Sequence, residues 1–190
     1  MTKPSKRTSL FYLTAAALCT ALIAVCSYVS IPVGNLKFTL QLLAVLFTAG
    51  VLPPLYAILS VAVYVTLGLV GVPVYAGFTA GVGAIAGPTG GFILGFLPAC
   101  AAAAFALRLL RRKETRFLYL IYAAVFVGAT LIVYVCGAVG FLIYMPEKGL
   151  SYVLTAAILP YTGFDLLKIL LAAFLSLRLQ PVLQKYAYKK

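Results

Sequence analysis

Two charged residues, Asp165 and Lys168, lie within an otherwise apolar segment near the carboxyl terminus. Residues three apart share one face of a helix, so a carboxylate and an ammonium at this spacing can pair. Each charge in a bilayer interior costs about 2.5 to 3.5 kcal/mol on insertion scales. A purely structural ion pair is one interpretation. We favour a polar-ligand site, in which Asp165 accepts N–H hydrogen bonds and Lys168 donates to a carbonyl or carboxylate oxygen.

The residues before this pair predict where its helix begins. Pro160 and Gly163 interrupt the apolar segment, so we expect the helix to start near Thr162. Asp165 would then occupy the first helical turn. Free N–H groups and the helix dipole favour an anion at that position.

A second unusual segment, the glycine-rich segment at residues 71–91, has seven glycines and no charged residue. Irregular backbone is costly in an apolar chain unless it lines a cavity or is buried in protein, because lipid offers it no hydrogen-bond partners. We therefore expect its glycines to let backbone N–H groups approach the ligand, and its aromatic residues to supply walls. The residues expected to contribute are Tyr75, Gly77, Phe78, Thr79, Gly81, Gly87, Thr89 and Gly90.

The composition predicts an integral membrane protein. Of the 190 residues, 64% are hydrophobic and 9% are charged, and the mean hydropathy is +1.11. A soluble domain of this size has too little interior for so much apolar side chain. The formal net charge is +12, but the basic residues flank apolar runs. Membrane topology and anionic lipid explain that pattern better than a nucleic-acid partner does.

Hydrophobic runs predict a single domain of six transmembrane helices. Roughly 20 helical residues span a bilayer core, and a shorter segment needs burial or local bilayer thinning. The predicted fold is all-α, with the glycine-rich segment forming an irregular outer loop between the third and fourth helices. The spans are expected at residues 10–32, 38–52, 55–70, 87–110, 117–145 and 150–179.

The positions of the basic residues predict the orientation. With the amino terminus in the cytoplasm, three basic residues before the first span, five at 108–116 and four from Arg178 onwards are cytoplasmic, while Lys37 and Lys148 lie outside. Six spans return the carboxyl terminus to the cytoplasm. The glycine-rich segment then faces outward, so a ligand reaches this multi-pass plasma-membrane protein from outside the cell.

The sequence lacks the residues that several classes of function require. The sequence has no histidine, and its four cysteines lie singly in apolar stretches, so we expect no metal, disulfide or cofactor. No GxxxxGK[ST] motif is present, so this chain is not expected to hydrolyse ATP. One intramembrane carboxylate is too little for an intramembrane enzyme, and the spans have too few polar residues for a passive channel. Both stay as less favoured alternatives.

The first predicted helix has two neighbouring stripes of small residues. Ala17 and Ala21 form one, and Ala16, Thr20 and Ala24 form the other. Small residues let helices approach one another closely. Packing within this chain and docking of a partner membrane protein are both open interpretations.

Three motifs, in order, resemble those of a known family. They are Gly-Val-Pro-Val-Tyr-Ala-Gly at 71–77, Gly-Pro-Thr-Gly-Gly-Phe at 87–92 and Asp-Leu-Leu-Lys at 165–168. Over almost its full length the chain resembles BioY, the biotin-binding S component of energy-coupling factor transporters. The resemblance implies a six-helix fold with biotin in a pocket near the outer surface. It also implies a transmembrane T component and two cytoplasmic ATPases as partners.

The resemblance further implies roles for individual residues. Asp165 and Lys168 match the Asp-x-x-Lys pair of the family, whose partner is the ureido ring of biotin. Ala17 and Ala21 match the small-residue motif by which S components contact the T component. An S component for another vitamin is the alternative within transport.

The group that binds the ligand carboxylate stays open. Family members can use a polar or basic residue near the Gly-Pro-Thr-Gly-Gly motif, but this chain has no charged residue between Lys37 and Arg108. The candidates are backbone N–H groups, Thr79, Thr89, Lys37 and water.

Overall fold

The structure is a computed structural model that describes residues 6–33, 36–110 and 117–187, and these residues are mostly helical. A two-stranded hairpin follows the first helix, and a π-helical turn at Val153–Ile158 joins the last two helices. In chain order the elements are α1 (Lys6–Tyr28), β1 (Ser30–Val33), β2 (Leu36–Thr39), α2 (Gln41–Val51), α3 (Pro54–Leu69), α4 (Val82–Ile85), α5 (Gly90–Leu110), α6 (Leu118–Tyr144), α7 (Gly149–Tyr152) and α8 (Leu159–Ala187).

Four described helices, α1, α5, α6 and α8, are long and apolar enough to cross a membrane. The helices α2 and α3 are also apolar but shorter, with 11 and 16 residues. Nine of the residues of α2 are buried, because this helix packs against α1, α5 and α8. The predicted segments 38–52, 55–70, 87–110 and 117–145 contain α2, α3, α5 and α6, but the first of these segments begins with the last two residues of β2 and not with helix.

The segment predicted as a first span over 10–32 contains both a helix and a strand. Helix α1 ends at Tyr28, because Pro32 lacks an N–H group and holds the residue before it out of helical geometry. Strand β1 then pairs antiparallel with β2, with Pro32 opposite Lys37. The described chain is therefore mostly helical and not all-α as predicted. Residues 34–35, between the two strands in sequence, lie outside the described residues, as do the basic residues at 111–116.

Helices α5 and α6 pack with their backbones in close contact. A methyl group added to Gly91 would lie 2.9 Å from the Cα atom of Gly140, and one added to Gly95 would lie 2.8 Å from Cβ of Cys136. Glycines four residues apart on α5 thus allow α6 to pack closely against it. The same contact fixes the position of the α6 side chains that face the interior.

The helix that carries Asp165 begins earlier than predicted. The chain is helical from Gly149 through α7, the π-helical turn and α8 to Ala187. The wider π-helical turn precedes Pro160 and accommodates a proline that would otherwise clash with the preceding helical turn. Asp165 therefore lies well inside a continuous helix, and the expectation that helix N–H groups stabilise its carboxylate was wrong.

Candidate functional site

Side chains, and not a helix terminus, stabilise the Asp165 carboxylate. The Nζ atom of Lys168 donates to Oδ1 at 2.7 Å, and the hydroxyl of Tyr134 on α6 donates to Oδ2 at 2.6 Å. Asp165 and Lys168, the acid–base pair, are each 6% exposed. Both carboxylate oxygens thus have a donor, and both retain lone pairs for another.

The ring of Phe38 lies against the Lys168 ammonium. Its Nζ atom lies 3.9 Å from the ring centroid of Phe38 in β2, a cation–π contact that offsets part of the cost of burying the charge. The Phe38 ring also contacts Phe164 and Tyr161 of α8, at centroid distances of 5.0 and 6.4 Å. The hairpin therefore forms a wall over the acid–base pair.

The acid–base pair faces a cavity of about 480 Å³. Small-molecule sites have volumes of roughly 300–1,000 Å³, so this cavity has the size of a ligand site. The hairpin, α2, the glycine-rich segment, α5, α6 and α8 all contribute to its walls. Besides the pair, the polar lining includes Lys37, Thr39, Gln41, Thr79, Thr89 and Tyr134, and the apolar lining includes Leu42, Phe92, Ile93, Phe96 and Val133.

The structure brings six of the ten ligand residues expected from the sequence to this cavity. They lie on α8, in the loop after α3 and in the segment that leads into α5. The six are Tyr75, Thr79, Gly87, Thr89, Asp165 and Lys168. The other four, Gly77, Phe78, Gly81 and Gly90, are not among the residues that line it.

Phe78 and Gly90 position the backbone of the glycine-rich segment. Phe78 has a φ of 58° and is 65% exposed, and its ring is stacked on that of Tyr28 at a centroid distance of 4.2 Å. A side chain at Gly90 would collide with the carbonyl of Ile85. Phe78 therefore holds the segment against α1, and Gly90 allows α4 to approach the start of α5.

Gly81 occupies a sharp turn. Its φ is +82°, in the left-handed region that favours glycine. Its N–H group donates to the carbonyl of Gly68 at 2.7 Å. This hydrogen bond holds the glycine-rich segment against the end of α3.

Tyr75 is an anchored wall of the cavity. Its side chain is fully buried and packs where Gly68 has no side chain. Burial raises the pKa of Tyr75, so the phenol stays protonated and its hydroxyl donates to the Val65 carbonyl at 2.6 Å. This bond ties the glycine-rich segment to α3.

A chain of hydrogen bonds ties the hairpin to three helices. Thr39 donates to Gln41 at 2.9 Å, Gln41 donates to the hydroxyl of Tyr64, and Tyr64 donates to the Val74 carbonyl at 3.2 Å. Ser27 of α1 donates to the same carbonyl at 2.6 Å. Buried polar networks rigidify a structure when their members are satisfied. The cavity walls are therefore held by side chains from α1, α2 and α3.

The sequence prediction did not assign Tyr134, Phe38, Gln41 or Tyr161 to the site. Gln41 carried a usable signal, because an amide in a short apolar segment needs hydrogen-bond partners. The other three are aromatic residues in a chain with 13 tyrosines and 12 phenylalanines. Their local sequence does not separate a ring that faces a cavity from one that faces lipid.

Fold and site together define a class, a multi-pass membrane protein whose helices line a cavity of small-molecule size. Within that class the chain belongs to the BioY family, whose family model matches residues 1–185. The resemblance that the three sequence motifs indicated is thereby confirmed.

Relatives and a solved structure match most of the chain. It is 38% identical over 169 residues to "Biotin transporter BioY" of Thermotoga maritima, covering 88% of this chain and 94% of the relative. It is 32% identical over 164 residues to "Probable biotin transporter BioY" of Pyrococcus horikoshii, covering 86% and 93%. The crystal structure of the S-component for biotin from an ECF-type ABC transporter shares the fold, with a TM-score of 0.85, 24% identity and coverage of 93% and 94%.

Proposed function

We propose that this chain is the substrate-binding S subunit of an ATP-driven importer, and that it captures biotin from outside the cell. The observation that carries the proposal is the buried acid–base pair facing a cavity of about 480 Å³. Membership of the BioY family and the names of the relatives support it.

The ureido ring of biotin is chemically complementary to the acid–base pair. The ring offers N–H donors and one carbonyl acceptor. Asp165 accepts one hydrogen bond at each oxygen, from Lys168 and Tyr134, and keeps lone pairs for a ring N–H group. The ammonium of Lys168 has further N–H groups for the ring carbonyl. Asp165 therefore acts as the acceptor for biotin and Lys168 as the donor.

We further propose six spans in the plasma membrane, with both termini in the cytoplasm. Four long helices and the two shorter apolar helices α2 and α3 supply the spans, and the excess of basic residues at the termini and at 108–116 supports the orientation. The hairpin and the glycine-rich segment then face outward. Biotin enters the cavity between them.

The energy for import comes from partner proteins in this proposal. The chain has no phosphate-binding GxxxxGK[ST] motif. A transmembrane T component docks on the Ala17 and Ala21 face of α1, and a cytoplasmic ATPase pair hydrolyses ATP. The structural likeness to the S-component for biotin from an ECF-type ABC transporter supports this assignment.

The proposed function predicts saturable biotin binding by the isolated chain. Titration of biotin into the purified protein in detergent, followed by calorimetry, should give one site per chain. A panel of other vitamins in the same assay tests the alternative ligand. An isotherm that does not saturate with biotin contradicts the proposal, and a tighter isotherm for another vitamin favours an S component for that vitamin.

Tyr134→Phe is expected to weaken biotin binding by roughly tenfold. The substitution removes the hydroxyl that donates to Asp165 at 2.6 Å while keeping the ring, and a hydrogen bond to a charged group contributes about 1.5–3 kcal/mol. Tyr144→Phe, on an exposed position of the same helix, is the matched control. Unchanged affinity for biotin in Tyr134→Phe would show that Tyr134 does not organise the carboxylate for binding.

A further inference from the structure

Lys37 in β2 is a cation at the exposed end of the cavity, apart from the buried acid–base pair. Its side chain lines the cavity, and its Nζ atom donates to the Ala76 carbonyl at 3.0 Å in an exposed hydrogen bond. That bond joins the hairpin to the glycine-rich segment. The cavity therefore has a buried polar end at α8 and an exposed cationic end between the hairpin and this segment.

A second donor converges on the same carbonyl oxygen. The Oγ1 atom of Thr79 donates to Ala76 at 3.1 Å, and Thr79 also lines the cavity. An ammonium and a hydroxyl thus lie side by side around one acceptor. Gly77 makes room for this arrangement, because a carbon added there would lie 3.2 Å from Cε of Lys37 and closer still to its Nζ.

The charges around the cavity are unbalanced. Asp165 and Lys168 neutralise each other at 2.7 Å. Among the described residues that line the cavity, Lys37 is then the charge without an opposite charge beside it. A ligand of complementary charge carries one negative group at the end that lies near Lys37.

We infer that Lys37, with Thr79 as a second donor, recognises the carboxylate of the ligand. The inference rests on the proposed function, since biotin has an uncharged ureido ring at one end and a carboxylate at the end of its valerate chain. With the ring at the acid–base pair, the apolar lining of the cavity, which includes Phe92 and Ile93, is available to the valerate chain. An ammonium has three donors, so Lys37 keeps its bond to Ala76 while it binds the carboxylate through a charge-assisted hydrogen bond. This chain therefore selects the free acid over neutral derivatives.

The test compares biotin with biotin methyl ester, which keeps the ureido ring and removes the charge. We expect the full-length protein in detergent to bind biotin about tenfold more tightly than the ester. This gap in affinity is no larger because Lys37 is exposed and solvent screens its charge. In Lys37→Met the gap should close, because biotin binds more weakly while the ester binds as before. Lys37→Arg should keep most of the gap. Raising the salt concentration should narrow it in the unsubstituted protein.

Ester binding reports whether each variant is folded, and Lys148→Met, outside the cavity lining, is the matched control that should keep the gap. If Lys37→Met binds neither compound, Lys37→Gln takes its place as the neutral variant. A gap that persists in the neutral variant, or equal binding of biotin and its ester by the unsubstituted protein, overturns the role of Lys37 and leaves the proposed function standing. Failure of the unsubstituted protein to bind either compound overturns the proposed function as well.

Discussion

Asp165→Asn should weaken biotin binding by at least about a hundredfold. The carboxylate accepts hydrogen bonds from Lys168 and Tyr134 and is 6% exposed. Its loss leaves the Lys168 ammonium buried without a counter-charge, which costs roughly 3–5 kcal/mol. The new amide also presents its own N–H group in the region proposed for a ring N–H group. Calorimetric titration with biotin measures the loss, and Glu147→Gln, outside the cavity lining, is the matched acidic control.

Lys168→Met should produce a loss of similar size. Methionine has nearly the same length and packs against the Phe38 ring, so the change removes the charge and its hydrogen bonds while it keeps most of the volume. Asp165 would then remain as a buried carboxylate whose one hydrogen-bond donor is Tyr134. The ring carbonyl of biotin would also lose its proposed donor.

The double variant Asp165→Asn with Lys168→Met separates a ligand site from a structural ion pair. Replacing both members of a buried pair removes the uncompensated charge, so the thermal unfolding midpoint should recover relative to the single variants. Biotin binding should not recover, because both proposed ligand contacts are gone. Binding at the level of the unsubstituted protein in the single variants would support a pair that is kept only for structure.

The acid–base pair could be predicted from the sequence because burying charge in an apolar span is expensive. Few other residues of this chain carry so strong a signal. Gln41 carries a weaker one, since an amide also needs partners inside a bundle. Tyr134 carries none, although its hydroxyl donates to the carboxylate at 2.6 Å. The contact depends on how α6 sits on α5, and that arrangement is a property of tertiary packing.

The same limit explains the two errors in the predicted fold. Hydrophobicity does not distinguish a helix from a short strand, so the end of the segment 10–32 was predicted as helix and is β1. Pro160 predicts a helix boundary by its local chemistry, but the π-helical turn Val153–Ile158 accommodates it within a continuous helix. Predictions from local sequence failed where neighbouring elements stabilised a different backbone geometry.

The glycine-rich segment contains both residues that line the cavity and residues that position its backbone. Tyr75, Thr79, Gly87 and Thr89 line the cavity, whereas its other predicted residues shape the backbone that positions them. Glycine count alone does not separate these roles, because it identifies where backbone is irregular and not which face of it meets the ligand. Charge balance is more informative here, since it distinguishes the neutral end of the cavity from the cationic end at Lys37.

Ala17→Trp combined with Ala21→Trp should reduce biotin uptake by cells at least about tenfold while biotin binding in detergent persists. Both alanines are exposed on the outer face of α1, whereas Ala16 and Thr20 on the neighbouring stripe are buried. Thr20 donates to the Ser60 carbonyl of α3 at 2.9 Å. The stripe that contains Ala16 and Thr20 therefore packs within this chain. The stripe formed by Ala17 and Ala21 leaves small side chains at the surface, where a partner helix can approach closely.

Because the two tryptophans enter an exposed face, they should disturb the interior little, and the biotin affinity measured in detergent tests that expectation. Val135→Trp, at an exposed position of α6, controls for the effect of a bulky side chain at the membrane-facing surface and should leave uptake unchanged. Uptake at the unsubstituted level in the double variant would rule out this face as the contact with the T component. Loss of both uptake and binding would instead show that the substitutions disrupt the fold, since a defect in coupling alone leaves the cavity and its acid–base pair intact.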